Sequence, residues 1–364
     1  MAHVLWLSTE LPDRYGQGGQ RRQFHQIRAL MRRGHTVTVL VPMSGQNQVS
    51  IAAVTDLIRP RTALLGRSIP WAFRRLRRTI LSRDWDAIVV SHVESFWLLP
   101  NDRLPEIPIL TDVHNVMSRW HAISDRPEEA AEALRDEHLV LSRSSIVTTC
   151  SEEERRRLVA AHPSFGEKVV AAPLGVDPDE WPAVDFPRDE PLVALFGSWG
   201  WHPNQRGLGW FMDQVWPSVT ARMPDALAHI AGGGIPAPDR LPEGMVAVGR
   251  VPDLARFTAA ATVVAVPVLD GVGAAVKFAE SLASGASVIA TPDGANAFDD
   301  TPAFVSADPK VWAEWILERL RSRKDEPAPA AGREFALGRL TWDEAVRPID
   351  DWLRSATHSA RVPN

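Results

Sequence analysis

The sequence predicts two α/β domains, each a parallel sheet with helices on both faces. Three observations carry that expectation. Its 364 residues exceed what a single core usually organises. Short apolar runs alternate with longer amphipathic ones along most of the chain. That alternation breaks once, at the aperiodic, proline- and acid-rich "GVDPDEWPAVDFPRDEP" of residues 175–191, and then restarts.

In order, "HVLWLS" (residues 3–8) reads as a first strand. "GGQRRQFHQIRALMRRG" (18–34) places Phe24, Ile27, Leu30 and Met31 at helical spacing, with Gly34 as its stop. "TVTVLVP" (36–42) is a strand again, as are "DAIVVS" (86–91), "PILTDV" (108–113), "SIVTTC" (145–150) and "VVAAP" (169–173). Beyond the linker come "LVALFGS" (192–198), "LAHIAGGG" (227–234), "MVAVG" (245–249), "TVVAVPV" (262–268) and "SVIAT" (287–291). A stretch rich in Ala, Pro and charge (323–334) precedes a last helix, "TWDEAVRPIDDWL" (341–353). Strand, crossover helix, strand is the grammar of parallel sheets. The expected domains are residues 1–180 and 181–340, with 341–364 a helix and tail packing back toward the first. Two Rossmann-like domains would face each other across a cleft, with ligands outside the carboxyl ends of their strands.

Composition bounds the function. The charged share is 23% and the net charge −5, against the strong positive excess that bulk nucleic-acid binding needs. A single cysteine, Cys150, excludes an internal disulfide and reads as a small buried hydrophobe. No apolar run approaches the ~20 residues of a membrane span, and the chain opens directly on a strand, so a cytoplasmic location is expected. Residues 71–85, "WAFRRLRRTILSRDW", combine five arginines with apolar positions. They are read either as a helix lying peripherally on an anionic inner-membrane face or as a solvated helix on its own sheet.

The strongest chemical signal is "VLDGVGAAVKFAESLASGASVIATPDG", residues 268–294. The loop holding Asp270, Gly271, Val272, Gly273 and Ala274 precedes a helix whose free backbone N–H groups and positive dipole end suit a phosphate. Lys277 and Glu280 follow at i,i+3. As a surface ion pair they would contribute only ~0.2–0.5 kcal/mol. Beside an anion, the lysine offers a compact charge to phosphate oxygens and the glutamate two acceptors to vicinal ribose hydroxyls. The first loop, "DRYGQGGQRRQ", has G-x-G-G around Gly18 and Gly19 rather than G-x-G-x-x-G, and no acid ends the second strand, which weakens a dinucleotide reading. Either a close backbone approach to a ligand or a plain tight turn fits it. His114, in "TDVHNVM", is either a structural histidine or a group at a reaction centre, and His92, in "SHVESF", is a second candidate.

Taken in order, several segments resemble a known family, the retaining GT4-type glycosyltransferases of GT-B fold. "GQGGQRRQFHQIRALMRRGHTVTVLVP" is similar to that family's glycine loop, first helix and second strand. "TDVHNVMSRW" resembles its D-x-H segment, "TTCSEEERRRL" its mid-domain strand and helix start, and "APLGVDPDEW" its linker entry. "LFGSWGWHPNQRGLGWF" and "VKFAESLASGASVIAT" resemble the opening and the donor motif of its second domain. The resemblance implies transfer of a sugar from a nucleotide-diphosphate sugar to an acceptor hydroxyl on a small molecule, glycan or lipid-linked carrier. With Lys277 and a helix N-terminus to meet the leaving charge and no D-x-D run at a strand end, no metal or other cofactor is expected. Lys277 would contact the pyrophosphate and Glu280 the ribose. Gly197, Ser198 and Asn204 would lie by the donor phosphates, Arg250 and Val251 by the base. Gly18 and Gly19 would face the sugar, with His114 near the reacting carbon.

Two departures from the family pattern bear on activity. Val272 stands where many members carry a first glutamate, a contact that Asp270 would have to take over. Ala275 replaces an arginine, leaving Arg206 to supply that charge. A nucleotide-sugar 2-epimerase and a non-catalytic nucleotide-sugar-binding protein share the same expected pocket. Acceptor choice would fall to the loops expected at 44–58 and 120–129.

Overall fold

The computed structural model describes residues 1–41, 51, 55–58, 78, 80–99, 107–183, 190–269, 271, 273, 275–296, 298, 300–323 and 330–359. They divide into two units: Met1–Pro173 with Trp342–Asn364, and Leu174–Thr341.

The first unit runs β1 (His3–Leu7), α1 (Gly18–Arg32), β2 (Thr36–Leu40), β3 (Asp56–Ile58), β4 (Ala87–Ser91), β5 (Ile109–Val113), α2 (Met117–Ile123), α3 (Pro127–Arg143), β6 (Ile146–Thr149), α4 (Glu152–Ala161) and β7 (Val169–Ala171). All seven strands are parallel, in the order β3-β2-β1-β4-β5-β6-β7. Every residue of β4 and β5 is buried, as expected of parallel strands covered on both faces. Gly34, at φ +91°, ends α1 in a backbone conformation that side chains resist. The strand order reverses between β1 and β4, so the segments leaving those two strands part there, at the switch point where α/β sheets generally take ligands.

The second unit runs β8 (Leu192–Ser198), α5 (His202–Trp210), α6 (Trp216–Thr220), β9 (Leu227–Gly233), β10 (Met245–Gly249), α7 (Leu254–Ala259), β11 (Val263–Val266), α8 (Val276–Ala283), β12 (Ser287–Ala290), α9 (Pro292–Ala295), β13 (Phe304–Val305), α10 (Pro309–Ser322) and α11 (Ala330–Arg339). Its six parallel strands lie in the order β10-β9-β8-β11-β12-β13, reversing between β8 and β11. The pleat sorts β8 cleanly. Val193 and Leu195 join Trp199, Trp216 and Trp312 in one core layer, while Leu192, Ala194 and Phe196 pack with Val264 in another.

The segment after Thr341 belongs to the first unit, but not as one helix. It forms α12 (Trp342–Ala345) and α13 (Arg347–Ser359). Pro348 stands at the second position of α13, where its missing N–H costs nothing, and so the ladder restarts there. Asp350 anchors α13, accepting from His35 Nε2 at 2.7 Å, Arg33 at 2.9 Å and Arg354 at 2.7 Å.

Further elements differ from expectation. β3 and β13, of three and two residues, went unpredicted because such short runs carry no measurable period. Residues 120–129, expected as a loop, hold the end of α2 and the start of α3. The expected linker is structured in its first part: Val176 bridges Thr341, and the buried Trp181 accepts from Arg333 through its carbonyl at 2.6 Å. The contact boundary therefore falls between Pro173 and Leu174. Most of the arginine-rich stretch 71–85 lies outside the described residues, as does most of 44–58. Among the described residues no helix is long and apolar enough to cross a membrane.

Candidate active site

Two clusters of chemically capable side chains lie at strand carboxyl ends, one in each unit. In the second unit the sharp turn after β8 leads into α5, and Gly207 lets α5 lie directly on the end of β11. A Cβ at Gly207 would come within 1.8 Å of the Pro267 carbonyl oxygen. That approach carries Asn204 to the site. Its Nδ2 donates to the Ser198 carbonyl at 2.9 Å, and its Oδ1 accepts from Lys277 Nζ at 2.8 Å. The Lys277 ammonium also sits 5.4 Å from the centroid of the Trp199 ring and beside Gly197. Trp199 is itself pinned, its indole N–H donating to Ala231 O at 2.9 Å.

Lys277 occupies the first turn of α8, whose N-cap, Ala275, supplies no side-chain acceptor and whose first turn contains no acid. Lys277 is 9% exposed and Glu280 2%. No carboxylate pairs with Lys277 among the described residues, and burial pushes its pKa down to about 7. The arrangement is a positive helix end and a buried, weakly compensated ammonium on the same turn, which is what an anionic group such as phosphate recognises.

In the first unit the centre is Asp112, fully buried on β5. It accepts two hydrogen bonds from the Arg22 guanidinium, at 2.9 and 2.7 Å, and one from Thr148 Oγ1 at 2.7 Å. His114 Nε2 lies 3.1 Å away. Burial alone would raise the Asp112 pKa; Arg22 and His114 more than reverse it and hold the group well below its ordinary 3.8. An ionised carboxylate only accepts, so His114 carries its proton on Nε2 and is an acceptor at Nδ1. Burial, with His92 next, lowers the His114 pKa to about 4, so the ring is neutral at neutral pH. Ser91 Oγ, 3.1 Å from the same Nε2, completes its setting.

The loop behind His114 is clamped by buried groups. Cys150 Sγ donates to the His114 carbonyl at 3.0 Å, Glu154 accepts from Val116 N at 2.9 Å, and Glu137 accepts from Ser118 N at 2.9 Å. Glycine at position 19 seats both rings against the start of α1. A Cβ there would meet His92 Cε1 at 2.9 Å and His114 Nδ1 at 3.1 Å. His92 holds φ 68°, ψ 146°, a conformation costing a non-glycine residue about 1–3 kcal/mol.

The expected residues thus sort into two groups. Gly197, Ser198, Asn204 and Lys277 come together at one strand-end region of the second unit, Glu280 is buried one turn further along α8, and Gly19 and His114 adjoin in the first. Gly18 opens α1 and is exposed. Arg250 is exposed at the end of β10, its guanidinium 3.8 Å from a Cβ at Gly233, with Val251 following it half-buried. Arg206 is exposed on α5. Gly271 and Gly273 are described, while Asp270, Val272 and Ala274 lie outside the described residues. Arg22 and Asp112 escaped the sequence reading. Asp112 had a partial signal: it lies near the end of β5, two residues before His114, which follows the strand.

The family model for Glycosyltransferase Family 4 matches residues 16–180, and that for Glycosyl transferases group 1 matches residues 190–322. No curated protein matches the sequence. Among solved structures, sucrose-phosphate synthase from Thermosynechococcus elongatus aligns with a TM-score of 0.78 at 16% identity, covering 99% of this chain and 100% of the other. HepE from Anabaena, in complex with UDP and glucose, aligns at 0.72 and 14% identity, covering 98% and 100%. WaaG, a glycosyltransferase involved in lipopolysaccharide biosynthesis, aligns at 0.62 and 14% identity, covering 98% of each chain. The shared fold is GT-B, two Rossmann-like α/β units in one chain. The chain belongs to the GT4-type glycosyltransferases.

Proposed function

We propose that the protein transfers a sugar from a nucleoside-diphosphate sugar to an acceptor hydroxyl, with retention at the anomeric carbon and without a divalent metal. The observation that carries the donor class is the Lys277 ammonium, buried on the Asn204 amide and the Trp199 ring at the start of α8. A leaving diphosphate develops charge that a preorganised cation and helix amides stabilise without reorganisation. Lys277 and the α8 N-terminus supply that charge, which is the reason for proposing metal independence. Glu280 takes the ribose hydroxyls, Gly197 and Ser198 approach the phosphates, and Arg250 and Val251 flank the base. UDP and glucose in the HepE complex support the same class of donor.

His114 contributes as a neutral ring. With Nε2–H committed to Asp112, Nδ1 accepts a hydrogen bond from a sugar hydroxyl and helps fix the sugar near the reacting carbon. The acceptor class is a hydroxylated small molecule, glycan or lipid-linked sugar.

A thermal-shift screen against UDP, GDP, TDP and ADP sugars tests the donor reading, with stabilisation expected for one nucleotide series and abolished by Lys277→Ala. The matching sugar nucleotide is then incubated alone, where C2 inversion would mark an epimerase, and with hydroxylated acceptors, with and without EDTA. His114→Ala is expected to cut turnover at least 100-fold while nucleotide affinity stays within about twofold. Equal loss of both, or of neither, rejects its role; loss of turnover in chelator rejects metal independence.

A further inference from the structure

The chain has one tyrosine, Tyr15, and the loop between β1 and α1 holds it out in water at 71% exposure. That loop is pinned at both ends by a single side chain. Gln20, in the first turn of α1, donates through Nε2 to the Leu11 carbonyl at 3.0 Å and accepts on Oε1 from Gln17 N at 3.1 Å. Its own carbonyl accepts from Asp13 N at 3.2 Å. Inside the loop, Asp13 accepts from Tyr15 N at 3.1 Å through its carboxylate and from Gly16 N at 3.3 Å through its carbonyl. A Cβ at Gly16 would meet Gln20 Oε1 at 2.6 Å, so a side chain there would push Gln20 off the loop. The Arg14 guanidinium, 5.5 Å from the ring centroid, steadies the ring itself.

A loop fixed in this way presents its ring with little further entropy to lose on binding, which is how exposed tyrosines serve recognition. Its composition defines the ligand. Leu11 and Pro12 are buried, while the exposed Gln17 and the partly exposed Asp13 and Arg14 flank Tyr15 in the loop. A lipid chain needs a contiguous apolar patch, and this loop offers one ring among polar groups. A sugar matches that pattern, because its C–H face is apolar and its rim carries hydroxyls. The position agrees. The loop leaves β1 at its carboxyl end, beside the switch point between β1 and β4, and Gly19, four residues on, lies against the His114 ring.

Resting on the glycosyl-transfer reading above, we propose that Tyr15 is the stacking platform for a sugar ring of the acceptor. The acceptor is thus a saccharide, free or carried on a lipid. It lies with its C–H face on Tyr15 and its hydroxyls turned to the polar groups of the loop. Tyr15 binds and orients the acceptor and takes no part in bond making.

Because Tyr15 is the only tyrosine, the full chain grown with 3-fluorotyrosine carries its fluorine at this residue alone. The label is titrated with glucose, galactose, mannose, N-acetylglucosamine and cellobiose, and at least one should shift its fluorine signal saturably. That saccharide then serves as acceptor for the nucleoside-diphosphate sugar that stabilises the chain most in the screen. Tyr15→Ala, at an exposed position that does not threaten folding, should raise the acceptor KM about tenfold or more, while kcat falls less than about threefold and nucleoside diphosphate affinity stays within about twofold. Tyr15→Phe keeps the ring and should hold KM within about threefold of wild type. Methyl and octyl glycosides of the same sugar separate the two sources: equal KM marks a free glycan and a lower octyl KM a lipid-linked one, and either upholds the platform. A signal that no saccharide moves, one that moves without any of them accepting sugar, or an unchanged KM in Tyr15→Ala overturns the proposal while leaving the glycosyl-transfer reading intact. A wild-type chain that releases no nucleoside diphosphate from any sugar nucleotide it binds overturns both.

Discussion

Lys277 Nζ donates to Asn204 Oδ1 at 2.8 Å, so a buried ammonium rests on a neutral amide rather than on a carboxylate. Under the proposed donor binding, a carboxylate there would neutralise the charge offered to phosphate. Asn204→Asp should therefore weaken nucleoside diphosphate binding by about tenfold or more while leaving the thermal midpoint equal or higher. Calorimetric titration with UDP or its best-binding analogue measures this. Unchanged affinity would mean that the Lys277 charge is not directed at phosphate.

The same lysine sets opposite pH slopes for folding and for binding. Its pKa is about 7 in the folded chain and ~10.4 in an unfolded one. Below about pH 7 both states hold the proton and neither slope exists. Between those values the unfolded state binds more protons, so stability contributed by this group rises with pH. A bound diphosphate favours the ammonium, so affinity should fall over the same window and binding at pH 8 should take up a proton. Titrations at pH 8 in two buffers of different ionisation enthalpy report the uptake, and identical heats would refute it.

Gly19→Ala would press a methyl group against both His92 and His114. Displacements of this size cost on the order of 10–100-fold in turnover when they misplace reacting groups. Affinity for nucleoside diphosphate, held by Lys277 in the other unit, should remain within about twofold. Steady-state kinetics beside calorimetry separates the two, and parallel loss would point to misfolding.

Asp350→Asn should destabilise the first unit by about 1–3 kcal/mol, because one buried carboxylate serves His35, Arg33 and Arg354. Burial raises the Asp350 pKa, but those three donors reverse this and hold it below 3.8. Its stabilisation is thus complete above the unfolded carboxyl pKa and is lost as pH falls through the lower folded one. Urea melts from pH 7 down to 3 should show the variant with a flatter acid limb; superimposable limbs would reject the assignment.

Much of the architecture was legible because parallel sheets buried on both faces write themselves as short apolar runs, as in "AIVVS" and "LVALFGS". The pairing of Lys277 and Glu280 was legible for a local reason: they share one turn of one helix behind a glycine loop. The first-unit site was not, since Arg22 and Asp112 meet across 90 residues of sequence. The strained turn at His92 had no sequence signal either, because nothing in "VVSHVES" calls for a positive φ. The break between α12 and α13 was readable in Pro348 but was masked by an otherwise continuous amphipathic pattern.

The first unit is completed by residues 342–359, which the ribosome reaches only after the whole of the second. The second unit is therefore an insertion between the two parts of the first: its own elements are contiguous in sequence, whereas the first unit needs α13 and the Asp350 clasp from beyond it.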